Sequence, residues 1–154
     1  MPLDPAHLHL VVNHLPVFGG PFLFLLLALG LIRRSGELVT LSLVLVVLLA
    51  AGTGLVYLTG EPAEDQVEKA SWYQERLVET HEEQSEAGLI AMLATGALAA
   101  AGLVLRKRPG TFPWLVRATV AGLVVGMVLI GRSAWSGGQI RHDEIRAGQP
   151  LSSP

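Results

Sequence analysis

Residues 38–58 read LVTLSLVLVVLLAAGTGLVYL, a stretch with no charge anywhere in it. It is apolar on every face, and a helix of that kind sits either deep inside a large protein or in lipid. At ~1.5 Å of rise per residue it covers the ~30 Å hydrocarbon core of a bilayer. Three further runs share this character, at 11–32, 87–105 and 114–134. The first carries no ionisable group between His14 and Arg33, the run at 87–105 carries none, and the last has Arg117 and Arg132 near its two ends. A chain of 154 residues has too little interior to bury four such helices in water. The expectation is an all-α integral membrane protein, one domain over 1–154, with a polar acidic connection at 60–86 and a flexible tail at 146–154.

The first run does not read as a removable signal. Such a signal has a basic start, a short apolar core and a small-residue cleavage site. Here the start is Met-Pro-Leu-Asp-Pro-Ala-His, and Arg33-Arg34 follows the apolar run.

Orientation follows from the basic loops. The turns after the first and third runs, with Arg117 just beyond, hold Arg33, Arg34, Arg106, Lys107, Arg108 and one acid, Glu37. The opposite side holds both termini, the connection 60–86, all five histidines and twelve of the thirteen carboxylates. The basic side is expected to be cytoplasmic. Both termini then lie outside a bacterial inner membrane, in an up-down four-helix bundle with short turns. Trp72, Tyr73, Trp135 and Tyr57 would mark the outer interface, and Trp114 the inner one. Gly122 and Gly126 form a Gly-x-x-x-Gly spacing, read here as close helix packing. There is no cysteine, which excludes disulfides and thiolate ligands.

Local signals place the ends of elements. Asp4-Pro5 is a helix start, with Asp as cap and Pro at the first helical position. Pro16 predicts a kink or restart near Asn13. Glu61-Pro62 opens a short polar helix. Ser71 to Gln74 has the spacing of a capping box, so a helix is expected to start at Ser71 and run on into the third span. Glu79, Glu82, Glu83 and Glu86 then form one acidic stripe, with His81 on another face in line with Ser85 and Gly88. Ser136-Gly137-Gly138 reads as a helix stop.

Each span therefore brings a candidate ligand to the outer end: His14 from the first, Glu61 and Glu64 from the second, His81 and Glu82 from the third, His142 from the fourth. Asn13, Arg132 and Arg141 are the expected supporting polar network. His7 and His9 lie two residues apart, face different ways on a helix, and read as ordinary interfacial histidines.

Asn-His-Leu-Pro at 13–16, Thr-Gly-Glu-Pro-Ala-Glu at 59–64, His-Glu at 81–82 and Gly-Gly-Gln-Ile-Arg-His-Asp-Glu-Ile at 137–145 carry a resemblance over nearly the whole chain. The chain resembles the domain-of-unknown-function family numbered 2231, small four-span bacterial membrane proteins with a His-x-x-x-His-x-Pro-like opening and a Gly-Gly ending. Here Asn13-His14 stands where a His-Phe-Pro type of opening is more usual. The resemblance implies a four-helix membrane protein and no particular activity.

Three readings of the outer end follow. His14, His81 and His142 with Glu61, Glu64 or Glu82 form a donor set for iron, copper or zinc. Alternatively, two of these histidines ligate one b-type haem, with Arg132, Arg141 or Arg146 at its propionates. Either cofactor points to electron transfer with a redox partner or a larger complex on the outer face. In the third reading the cluster is structural and the protein is a cofactor-free assembly subunit. No nucleophile elbow, phosphate loop or His-Glu-x-x-His stands in the sequence, so nothing specifies an enzyme. The basic residues are too few, and the outer side too acidic, for nucleic acid.

Overall fold

A computed structural model of the chain describes residues 4–146; the expected tail lies almost wholly outside them. The described regular structure is helical throughout: α1 Pro5–Val12, α2 His14–Ile32, α3 Gly36–Tyr57, α4 Gly60–Val67, α5 Glu75–Val104, α6 Phe112–Arg141 and a 3-10 turn at Asp143–Ile145. Four stretches are long and apolar enough to cross a membrane: Pro5–Ile32, Gly36–Val67, Glu75–Val104 and Phe112–Arg141. They take in the four apolar runs of the sequence, the third to within one residue of its end at 105, and extend beyond them at their polar ends.

Packing joins α2 to α3 and α6, and α5 to α3 and α6. Leu27, Leu43, Met92 and Leu123, one from each of these helices, are fully buried between them. Outward-facing apolar residues such as Phe18, Leu48, Ile90 and Val128 stay exposed. Small residues set the helix spacing. A methyl group at Gly96 would come within 2.5 Å of the Ala50 Cβ, and one at Gly126 within 2.6 Å of the Met92 sulfur. The Gly122–Gly126 pair thus packs against α5, as close helix packing predicts. Ser42, Thr53, Thr95 and Thr119 are buried in the same core. Each donates its hydroxyl proton to the carbonyl four residues earlier in its own helix, so no polar group in the apolar middle lacks a partner.

Asp4 caps α1 as expected, its carboxylate accepting from the His7 N–H at 2.8 Å. The chain breaks between α1 and α2 at Asn13. Pro16 has no N–H for the Val12 carbonyl and its ring crowds that carbonyl, so α1 ends at Val12.

Two expectations are corrected. α5 begins at Glu75, not Ser71, and Gln74 before it is extended. Ser71 and Trp72 belong to a turn closed by the Tyr73 N–H on the Ala70 carbonyl, 3.0 Å. Side-chain ties of Trp72 and Tyr73, described below, hold this turn against helical continuation. Nor does α6 stop at Ser136-Gly137-Gly138; it continues to Arg141. Glycine disfavours a helix interior by about 1 kcal/mol. At Gly137 that cost is offset by a contact only glycine permits, since a Cβ there would lie 2.9 Å from Cε1 of His81.

Candidate functional site

α1, the α3–α4 junction, the early turns of α5 and the last turns of α6 meet at one end of the molecule. Two histidines stand at this meeting point. His9 comes from α1 and His81 from α5; their ring centroids are 6.5 Å apart and the planes cross at 81°. Both are half-buried.

Hydrogen bonding fixes the tautomer of each neutral ring. His81 Nδ1 lies 2.9 Å from the Ser133 carbonyl oxygen, which has no proton to give, so Nδ1–H donates. The Ser136 hydroxyl donates to the same carbonyl at 2.9 Å. Ser85 donates to the His81 carbonyl at 2.7 Å, so the Ser133 hydroxyl, 2.7 Å from Ser85 Oγ, donates to it in turn. His9 follows the same logic. Thr59 gives its proton to the Val56 carbonyl at 2.6 Å, which leaves its oxygen to accept from His9 Nδ1–H at 2.8 Å. Both Nδ1 protons are thus committed to the protein. Among the described residues no buried side-chain nitrogen or oxygen lacks a partner. The His81 Nε2 makes no hydrogen bond among the described residues. Histidines that bind metals use this arrangement, in which a bond at one nitrogen orients the ring and raises the basicity of the other.

A second cluster joins α4, the turn before α5 and the start of α5. Tyr73 donates its hydroxyl to the Glu64 carboxylate at 2.7 Å. That hydrogen bond is the largest cause raising the Tyr73 pKa to about 12, with desolvation and the charges of Glu64, Glu68 and Glu75 adding to it. Glu82 lies within hydrogen-bonding reach of Glu64, with Glu61 and Glu79 nearby. The Arg141 guanidinium covers the Trp72 ring at 4.2 Å from its centroid, a cation–π contact linking the end of α6 to the turn before α5.

The residues singled out in the sequence fall into separate settings. His81, Glu61, Glu64 and Glu82 share this end. His14 is exposed, bonds through Nδ1 to the Leu10 carbonyl at 2.8 Å, and stacks on Phe18 with centroids 5.9 Å apart. His142 is exposed and pairs with Glu144 at 2.8 Å. Asn13 forms the joint between α1 and α2. Arg132 is exposed and lines a shallow cleft with Glu83, Gln84, Ala87 and Leu129. Among the described residues no three His, Asp or Glu side chains stand close enough together to share a metal ion. Sequence reading missed His9, Thr59, Ser133, Ser136 and Gly137. The alignment of His81 with Ser85 was legible, and it marks the face of α5 that meets the serines of α6.

No family model, no curated protein and no solved structure matches this chain. The fold defines a multi-pass helical protein.

Proposed function

We propose that this chain is a bacterial inner-membrane protein with an up-down four-helix arrangement and both termini outside. Its outer end holds a redox metal or a b-type haem, through His81 with His9, and serves in electron transfer with a partner on that face. One observation carries the reading. Two imidazoles from different helices stand 6.5 Å apart, each held in place through its Nδ1. The acidic connection at 60–86 favours a cation on this side by simple attraction.

The test is the spectrum of protein purified in detergent without chelators, oxidised and then reduced with dithionite, with elemental analysis of the same sample. Iron or copper near one per chain is expected, lost in His81→Ala and kept in Glu83→Ala, since Glu83 lies on the exposed acidic stripe. Equal content in wild type and His81→Ala sinks the assignment. A second reading, a cofactor-free assembly subunit, draws support from the fully satisfied buried polar atoms at this end. Folded protein that contains neither metal nor haem moves the conclusion to it.

A further inference from the structure

Away from the histidines, α5 and α6 open a shallow cleft of about 290 Å³, lined by Glu83, Gln84, Ala87, Leu129 and Arg132. We infer that this cleft binds one zwitterionic phospholipid with a primary ammonium, a phosphatidylethanolamine, with its phosphate on Arg132 and its ammonium on Glu83. This occupant requires only that the apolar helices stand in a bilayer, whatever the histidines hold.

Two opposite charges line the cleft without satisfying one another. Among the described residues neither Arg132 nor Glu83 makes an ion pair or a side-chain hydrogen bond. Arg132 stands two residues inside the end of the apolar run 114–134. A guanidinium at the edge of the hydrocarbon is costly unless an anion meets it, and such residues pair with whatever partner the surroundings offer. The anion found at that depth of a bilayer is the lipid phosphate, which the planar fork of an arginine meets through two parallel N–H bonds.

Depth orders the two contacts. Glu83 stands four residues before the apolar run that begins at Ala87, roughly 6 Å further out at ~1.5 Å per residue. Arg132 lies at the outer end of its own run, and Trp135, one turn beyond it, is 60% exposed, a headgroup-level position for an indole. In a phospholipid the phosphate is closer to the acyl chains than the ammonium, so Arg132 within and Glu83 without meet the two charges in the order the lipid presents them. Below this rim the walls are apolar. Ala87 is followed at helical spacing by Ala91 and Ala94 on α5, and Leu129 by Val125 on α6. The cleft is at the lower end of small-ligand sites in size, so it takes the headgroup while the acyl chains lie along these faces. An anionic headgroup without an amine would set like charge against Glu83. A quaternary choline ammonium has no N–H to donate to that carboxylate, whereas a primary ammonium has three.

The full chain in detergent is titrated with phosphatidylethanolamine, phosphatidylcholine and phosphatidylglycerol of identical acyl chains, and binding is read by native mass spectrometry. The expected result is one phosphatidylethanolamine per chain, held in preference to both other lipids. Arg132→Gln, shown to be folded by circular dichroism and gel filtration, is expected to bind it roughly tenfold more weakly, as loss of a charge-assisted contact predicts. Glu83→Gln is expected to lose the preference over phosphatidylcholine and to take up more phosphatidylglycerol, because the repelling carboxylate is gone. Glu86→Gln removes an exposed carboxylate that does not line the cleft and should leave the order of lipids unchanged. Equal retention of the three lipids by the wild type overturns the assignment, as does a preference for phosphatidylglycerol that Glu83→Gln does not alter. A stable dimer in detergent that Arg132→Gln dissociates also overturns it and gives the cleft to a second copy of the chain. None of these readouts depends on metal or haem content, so the cofactor reading stands or falls separately.

Discussion

Single residues decide what this end of the molecule can do, and the clearest case is a glycine. On helix propensity alone, Gly137→Ala should stabilise α6 by about 1 kcal/mol. The new methyl would instead meet His81 at 2.9 Å from Cε1 and 3.1 Å from Nδ1, so the ring has to leave the Ser133 carbonyl. If this end holds the proposed cofactor, the expected outcome is its loss, with no rise in the thermal midpoint of the detergent-solubilised protein. A higher midpoint with the cofactor retained would show that the ring has room. Tyr73 gives a second residue-scale test, through pH. Its pKa is raised from the ordinary value near 10 to about 12, chiefly by donation to Glu64. A raised folded-state pKa contributes stability that is complete below pH ~10 and is lost as pH climbs through the folded value. Phenolate absorbance should therefore titrate near 12 for Tyr73 and drop towards 10 in Glu64→Gln. Glu64 and Glu82 were legible as outer-end candidates because span ends can be counted along the sequence. His9 was not, because its importance depends on which residue faces it across an interface 50 positions away at Thr59, and period within one helix carries no such information.

At the scale of elements, the short pair α1 and α4 behaves differently from the four long helices. α1 buries none of its residues and packs mainly on α4. Its ties are the His9–Thr59 bond and the Ala6 N–H on the Gln66 side-chain oxygen at 3.0 Å. The two break points that create this pair were readable for different reasons. Pro16 removes a backbone donor and made an interruption near Asn13 legible, whereas Pro21 stands inside α2 without breaking it. The start of α5 was not legible. A capping-box pattern at Ser71 competes with tertiary ties of Trp72 to Arg141 and of Tyr73 to Glu64, and those ties prevail. Because α1 depends on so few contacts, Thr59→Val should loosen it selectively. The lost hydrogen bond amounts to about 0.5–1.5 kcal/mol. Hydrogen exchange should then quicken for the α1 amides from Ala6 to Val12 while those of α2 keep their protection. Uniform quickening through α2 would mean that the two helices open as one unit.

For the whole molecule, the balance between core and surface is what identifies the solvent. The buried set is small and lies along the facing sides of α2, α3, α5 and α6, while large apolar side chains such as Phe22, Leu25, Leu55 and Val125 remain more than half exposed. A continuous apolar surface of that kind would drive aggregation in water and costs nothing in hydrocarbon. This part of the fold was legible from composition, because no polar face interrupts the runs. Sidedness rests on a different quantity, the density of Lys and Arg in short loops. Arg106, Lys107 and Arg108 crowd the turn before Gly110, whereas the connection holding Ser71 is acidic. The chain has no cysteine of its own, so one introduced thiol is the only one that reacts. A methyl group at Gly110 would meet nothing within 4 Å, and Ser71 is exposed, so cysteine fits at both. Neither substitution changes the charge of its loop. With an impermeant maleimide, Ser71→Cys should label in intact cells, and Gly110→Cys only after permeabilisation. The reverse pattern would place the histidine pair in the cytoplasm and remove the case for an outer-face redox partner. Labelling of both thiols in intact cells would mean that the chain does not cross the membrane between α4 and α6, against the four spans.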